Sequence, residues 1–383
     1  MKNSVICNLG FPRKLLFGTG SIRELNTLID DPQKALLLTD RVLAENGTID
    51  RLLQNDVTRL SNIDIRSDIP IEPSATQVQQ LISETKGKAY STIIAIGGGS
   101  ILDTAKLIAS LMDQPFTVQD LLDDTSLLKS RKKGLILIPT TAGTGSEATP
   151  NSIVLDERTS VKVGIVNFHF IPDTVILDPN LTITLPPALT ASTGMDALAH
   201  ALECYASNKA NPISDTFAMK AAVMIFRNLQ KAYDNPDDLE ARGQMLLAAC
   251  FAGVAITASG TTAVHALSYP LGGRYRIPHG VSNAILLPAV MRFNADCIGD
   301  RLADVAQACP DVFPEPTADA VIQKLYELKE SLRLPASFSD FGVTAAEIES
   351  LTEQALTVKR LLNNNMKTLN AEDVRSIYKE VIR

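Results

Sequence analysis

The sequence predicts an N-terminal α/β domain built on a parallel sheet, followed by an all-α C-terminal domain. Three observations lead there. Short apolar runs without polar alternation recur in the first half, helical stretches with readable starts separate them, and strand signals stop beyond a double proline. The runs are Ala35–Leu38, Thr92–Ile96, Leu135–Ile138 and Thr174–Leu177. A run that is apolar at every position suits a strand covered on both faces, as in a parallel sheet. Between the runs, Ser21 with Glu24 and Ser100 with Asp103 stand at capping-box spacing ahead of helical stretches. Leu185-Pro186-Pro187 ends this texture, because two prolines continue neither a strand nor a helix. The boundary is set there, giving domains 1–185 and 186–383. Helical periodicity then runs over 190–207, 214–233, 238–258, 297–308, 317–332 and 371–382.

Composition narrows the function classes. The chain has 383 residues, 45% hydrophobic and 21% charged, the balance of a globular protein. A net charge of −7, with one short basic tract at Lys129–Lys133, argues against a nucleic-acid partner. The five cysteines are scattered, odd in number and never spaced C-x-x-C, so they make neither a disulfide framework nor a zinc ribbon. A reducing, cytoplasmic compartment is the expectation. The opening segment MKNSVICNLGFPRK lacks the apolar core of a signal peptide. The longest apolar run, Met245–Ile256, has 12 residues, against the roughly 20 that span a bilayer. No membrane partner is expected.

Chemistry is sought first at the carboxyl ends of the strands, where parallel sheets bind ligands. The segment TIIAIGGGSILDTAK reads as strand, turn and helix, with Gly97, Gly98, Gly99 and Ser100 at the turn. Three glycines remove every Cβ there and let backbone N–H groups approach a phosphate at the positive end of the helix. The pattern is not G-x-G-x-x-G, and such a turn also serves plain close packing. Two further segments agree with a dinucleotide. PTTAGTGSEAT (139–149) follows the next strand and offers the hydroxyls of Thr140, Thr141, Thr144 and Thr149. Asp40 ends the first run, where an acidic residue accepts the ribose hydroxyls of NAD and repels the extra phosphate of NADP. Alone, Asp40 reads equally well as a turn cap.

The second half holds three of the chain's four histidines. Asp196 and His200 are four residues apart in ASTGMDALAHALECY, which on a helix puts them on one face about 6 Å apart. His265 and His279 follow in GTTAVHALSYPLGG and RIPHG. One carboxylate and three imidazoles suit Fe(II) or Zn(II). Each histidine taken singly is more simply a packed or capping residue; it is the grouping that favours a metal. His169, in NFHFIPD, reads as an ordinary packed or surface residue.

GGGSxxDxAK (97–106), PTTAGTGSE (139–147), GMDALAHALE (194–203) and HALSYPLGGRYRIPHG (265–280) together resemble the iron-containing (group III) alcohol dehydrogenase family, in the family's order and across essentially the whole chain. The resemblance implies a dinucleotide-binding N-terminal domain of dehydroquinate-synthase-like fold, a helical metal-binding domain, and an active site in the cleft between them. It implies that Asp196, His200, His265 and His279 ligate Fe(II), with Zn(II) as a substitute. Gly97 to Ser100, Asp103, the threonines of 139–149 and Lys162 would line the NAD site, and the chain would be a homodimer. Three positions depart from the family pattern. Tyr269 stands where many members carry a second histidine four residues after the third ligand; Glu72-Pro73 replaces Asn-Pro; and Asn365-Met366-Lys367 replaces Asn-Pro-Arg. Tyr269 is therefore the candidate catalytic side chain, as a hydrogen-bond donor or pocket wall, since a phenol is a weaker base than imidazole at neutral pH.

The expected chemistry is hydride transfer between NAD(H) and a small primary alcohol or aldehyde, with the metal as Lewis acid. The alternatives are a metal-dependent lyase or synthase, or a glycerol-type polyol dehydrogenase, on the same two-domain plan. A non-catalytic nucleotide sensor is the reading from a different class. All three are disfavoured by the full set of four ligands.

Overall fold

The computed structural model describes residues 7–159 and 161–383. The opening residues 1–6, part of the segment read above for a leader, lie outside the described residues. The chain divides into two compact units. One comprises Gly10–Thr141 and Gly145–Thr184; the other comprises Leu185–Arg383 together with 142–144 and 7–9.

The first unit is organised by strands β1 (Lys14–Phe17), β2 (Ala35–Thr39), β3 (Asp64–Arg66), β4 (Thr92–Gly97), β5 (Gly134–Pro139), β6 (Asn151–Asp156), β7 (Val161–Val166) and β8 (Thr174–Leu177). Six of them form a sheet in the order β1-β8-β5-β4-β2-β3 with every pairing parallel. The four apolar runs are its central strands. Leu36, Leu38, Ile93, Ala95, Leu135 and Leu137 enter one apolar cluster, while Ala35, Leu37, Ile94, Ile96, Ile136 and Ile138 enter another on the opposite face. Side chains alternate along a strand, so an unbroken apolar run is what double coverage requires. Each such Leu or Ile contributes about 1.5–3 kcal/mol on burial. β1 and β3 were not read from the sequence: they are the edges and carry partly exposed side chains, so no apolar run marks them. β6 and β7 pair separately as an antiparallel hairpin.

Helical turns α1 (Leu25–Leu28), α2 (Arg41–Glu45) and α3 (Thr48–Arg51) precede the longer α4 (Ala75–Thr85), α5 (Gly99–Leu111) and α6 (Val118–Asp123). The two capping boxes expected from spacing do not form. The hydroxyl of Ser21 donates to the Leu177 carbonyl, and Ser100 lies inside α5, whose N-cap is Gly98. Capping boxes form instead at Ser74 with Gln77 and at Thr117 with Asp120.

The second unit is helical: α7 (Pro187–Tyr205), α8 (Pro212–Asp234), α9 (Leu239–Ser259), α10 (Ala263–Tyr275), α11 (His279–Gln307), α12 (Ala318–Ser331), α13 (Ile348–Thr357), α14 (Lys359–Leu362) and α15 (Ala371–Val381). The double proline starts α7 rather than standing apart from it, with Pro187 in the first turn, where its missing N–H goes unneeded. α9 is 21 residues long, and by length and composition alone it could cross a membrane. It packs instead against α7 and α8, with Met245, Leu246, Ala249, Cys250 and Val254 buried. α10 and the first half of α11 differ from the sequence reading, which found a helix only from 297. Both contain an interior proline, Pro270 and Pro288, a substitution that costs an exposed helix about 3 kcal/mol. Burial of Val264, Leu267 and Leu271 on α10, and of Ile285, Leu286 and Val290 on α11, outweighs it.

Candidate metal centre

Three helices of the second unit bring the predicted ligands together. Asp196 and His200 lie one turn apart on α7, His265 lies in the first turn of α10, and His279 opens α11. One ligand atom from each falls within 4.8 Å of all the others. The Asp196 Oδ1 is 3.8 Å from His200 Nε2, 3.7 Å from His265 Nε2 and 3.7 Å from His279 Nε2. The rings of His200 and His265 stack at 4.5 Å. Asp196, His200 and His265 are buried, whereas the His279 side chain is 31% exposed, so the cluster opens on that side.

The approach of α11 to α7 depends on a residue without a side chain. A Cβ at Gly280 would stand 2.4 Å from the Ser192 carbonyl oxygen and 3.5 Å from Asp196 Cβ. Only glycine lets the first turn of α11 close onto α7 and carry His279 to Asp196. Gly143 does the same for the inset 142–144, where a Cβ would meet Thr193 Cβ at 2.6 Å. Gly280 and Gly143 were quoted in sequence motifs without this role.

Electrostatics prepare the ligands. Burial alone would raise the Asp196 carboxyl, but the surrounding histidines hold it below the usual carboxylate range. Burial pushes His200 down. Burial also works against a charged His265, yet Glu203 outweighs it and holds His265 above its ordinary value. Glu203 is fully buried, and its Oε2 pairs with His265 Nδ1. Its Oε1 accepts from Thr262 N at 3.0 Å, Thr262 Oγ1 at 2.8 Å and Val264 N at 2.8 Å. One carboxylate thus caps α10 and turns His265 so that Nε2 faces Asp196. A carboxylate behind a ligating imidazole is the usual means of fixing its tautomer. Glu203 closes the GMDALAHALE motif, seven residues after Asp196 on the same helix, which is the signal that sequence reasoning left unused. A carboxylate oxygen and three imidazole nitrogens, one backed by a second carboxylate, are a donor set that fits a divalent transition ion. Tyr269 lies one turn beyond His265, half-buried, with its ring 6.2 Å from that of His279.

The predicted cofactor residues divide into two groups. Asp40, Gly97 to Ser100, Thr140 and Thr141 follow the carboxyl ends of β2, β4 and β5, three adjacent strands. Thr140 N donates to the Gly97 carbonyl at 3.0 Å, and a Cβ at Gly98 would touch Thr141 at 3.4 Å. Asp40 caps α2, accepting from Leu43 N at 2.8 Å. Ser100 Oγ accepts from Glu72 N at 3.1 Å, and Lys162 pairs with Glu72 at 2.6 Å. Asp103 and Thr149 instead turn inward around Lys106, which is fully buried. Lys106 Nζ donates to Ser146 Oγ at 2.8 Å, to Thr149 Oγ1 at 3.3 Å and to the Asn151 carbonyl at 2.6 Å; Asp103 accepts from Ser146 Oγ at 2.5 Å and Ile153 N at 3.0 Å. Burial pushes the Lys106 ammonium down and the neighbouring Glu147 carboxyl up to about 7. Thr144, partly exposed, belongs with the helical unit.

Two family models match the chain, iron-containing alcohol dehydrogenase over residues 12–179 and the C-terminal model of the Fe-containing alcohol dehydrogenase family over 190–382. The chain is 35% identical to long-chain-alcohol dehydrogenase 1 of Geobacillus thermodenitrificans, covering 97% of this chain and 96% of that protein. It is 30% identical to the NAD-dependent methanol dehydrogenase of Bacillus methanolicus, covering 98% and 100%. Among solved structures, 1,3-propanediol oxidoreductase superimposes with a TM-score of 0.91 at 31% identity, covering 99% of this chain and 100% of that one. With both halves matched and four ligand-type side chains converging in the second, this chain belongs to the iron-containing alcohol dehydrogenase family.

Proposed function

We propose that this chain is a metal-dependent oxidoreductase that moves hydride between NAD(H) and a small primary alcohol or aldehyde, acting as a cytoplasmic homodimer. The observation that carries the reading is the convergence of Asp196, His200, His265 and His279 within 4.8 Å. Those four side chains would hold a divalent cation, Fe(II) with Zn(II) as a substitute, which when bound would supply Lewis-acid chemistry at the substrate oxygen. Asp196 provides the one negative charge of the donor set, and the histidines bind through neutral imidazoles. The exposed side of His279 gives substrate its way in, and Tyr269 forms a wall there and donates a hydrogen bond. The substrates named for the relatives, methanol, long-chain alcohols and 1,3-propanediol, support a primary alcohol as the class. The cysteines from Cys7 onward are all free thiols, which suits a reducing compartment.

For the cofactor, Gly97, Gly98, Gly99 and the N-terminus of α5 cradle the pyrophosphate. Ser100, Thr140, Thr141, Thr144 and Lys162 border it, while Asp103 and Thr149 hold the turn from beneath through Lys106. The α2 cap uses one lone pair of Asp40, and a carboxylate offers about four, so Asp40 still accepts a ribose hydroxyl. A 2′-phosphate near 4 Å would be repelled by on the order of 4 kcal/mol per unit charge before screening.

The test is metal analysis of the purified protein combined with oxidation of NADH and NADPH against a panel of aldehydes. About one divalent ion per chain and a kcat/KM favouring NADH are expected. His279→Ala should lose metal and turnover while staying folded. Full metal content and activity in that variant would refute the ligand set, and equal use of the two cofactors would refute the role of Asp40.

A further inference from the structure

Glu72 stands where the family pattern carries asparagine, and its backbone is unusual. Its φ is +53°, in the left-handed region that glycine and asparagine accept most readily. Side chains held there against their preference persist where the surroundings over-determine them, and they cluster at ligand sites. The surroundings do so here. Glu72 N donates to Ser100 Oγ at 3.1 Å, in the first turn of α5, and Leu155 N donates to the Pro73 carbonyl at 3.1 Å. Leu155 is the partner of Lys162 across the β6–β7 hairpin, which brings the lysine beside Glu72. The two side chains pair at 2.6 Å, with the lysine side chain 10% exposed and the glutamate 38%. Among the described residues, Glu72 is the only carboxylate paired with Lys162. The segment that holds Glu72 follows the carboxyl end of β3, and the sheet runs β4, β2, β3 on this side. The glycine turn follows β4 and Asp40 follows β2. A dinucleotide with its pyrophosphate at the turn and a ribose at Asp40 therefore directs its adenosine half towards Glu72 and Lys162.

We propose that Glu72 is a cofactor-selectivity residue: it holds the Lys162 ammonium in an ion pair and so denies that cation to the 2′-phosphate of NADP(H). The inference rests on the cofactor reading above and adds a second device to it. Asp40 repels the phosphate, whereas Glu72 cancels the charge that would attract it. A lysine ammonium is a good point-charge partner for phosphate, and a phosphate monoester carries about −1.5 to −2 at neutral pH. Glu72 and Lys162 together are neutral. Without the carboxylate the same place carries a positive charge, and the more highly charged cofactor gains more from it.

The experiment compares the parent chain with Glu72→Asn, Glu72→Gln, Lys162→Met and the double variant Glu72→Asn/Lys162→Met. Dissociation constants for NADH and NADPH are read from the fluorescence of the bound dihydronicotinamide, and folding from thermal unfolding. Asparagine suits the left-handed backbone, so Glu72→Asn should unfold at the parent's temperature or above it. In both neutral variants the affinity for NADPH relative to NADH should rise about tenfold or more, and added salt should shrink the gain. Lys162→Met in the Glu72→Asn background should remove the gain, because the freed ammonium is its source. An unchanged ratio in folded Glu72→Asn and Glu72→Gln, or a gain that survives the loss of Lys162, would overturn the proposal. A parent chain that already binds NADPH as tightly as NADH would overturn it too. A parent chain that binds neither dinucleotide would defeat the cofactor reading itself, and this inference with it.

Discussion

Glu203 and Tyr269 show how differently two side chains near one centre act. Glu203 touches the centre only through His265, so its effect should appear in the metal before the chemistry. Glu203→Gln keeps an acceptor for the α10 N-terminus but presents an NH2 to His265 Nδ1, disfavouring the tautomer that leaves Nε2 free to bind. A loss of about 10- to 100-fold in metal affinity, measured by chelator competition, is expected. Tyr269→Phe keeps the ring beside His279 and removes the hydroxyl. It should retain activity within roughly tenfold, or about 1.4 kcal/mol of barrier; a loss of a thousandfold with metal and NAD binding intact would mean that the hydroxyl moves the proton. Asp196 and His200 were legible in the sequence because helical spacing alone puts them side by side. Glu203 was not, because its role arises where α7 meets α10, and no local pattern encodes that contact.

Among elements, the junction of α7 with α11 decides whether the ligands meet. Gly280→Val would force a side chain against the Ser192 carbonyl, 2.4 Å from the position of its Cβ. Overpacking of this kind costs about 1–3 kcal/mol, and the strain falls one residue from His279. The variant should lose most of its metal affinity with a moderate drop in melting temperature, read by metal titration and calorimetry. The helices that carry His265 and His279 were also the hardest to read. Pro270, Gly272, Gly280 and Pro288 look like loop punctuation, yet they lie within α10 and α11, where burial of the neighbouring apolar side chains holds the helices together. α7, α8, α9 and α12, which lack interior prolines, were read within a few residues of their ends.

At the scale of the whole molecule, one buried carboxyl gives stability a pH dependence. Glu147 has an ordinary value of 4.5, and burial raises it to about 7. The folded chain then holds this proton more tightly than the unfolded chain does. Its contribution to stability is fully present below about 4.5 and is lost as pH rises towards about 7, for a total on the order of 3 kcal/mol. Glu147→Gln should flatten that slope in chemical denaturation followed across this window. The central strands were plain in the sequence because burial on both faces leaves no polar position, while the edges β1 and β3 and the hairpin β6–β7 were missed because exposure breaks the apolar run. The inset 142–144 has a consequence for dissecting the protein. It belongs with the helices, and its Gly143 lies against Thr193 of α7, one turn before Asp196, so it helps hold the segment that carries Asp196 and His200. A gene cut at Leu185 would leave that inset on the other fragment. The polypeptide 186–383 expressed alone should therefore bind metal more weakly than the intact chain, although it carries every proposed ligand, and co-expression with 1–185 should restore the affinity.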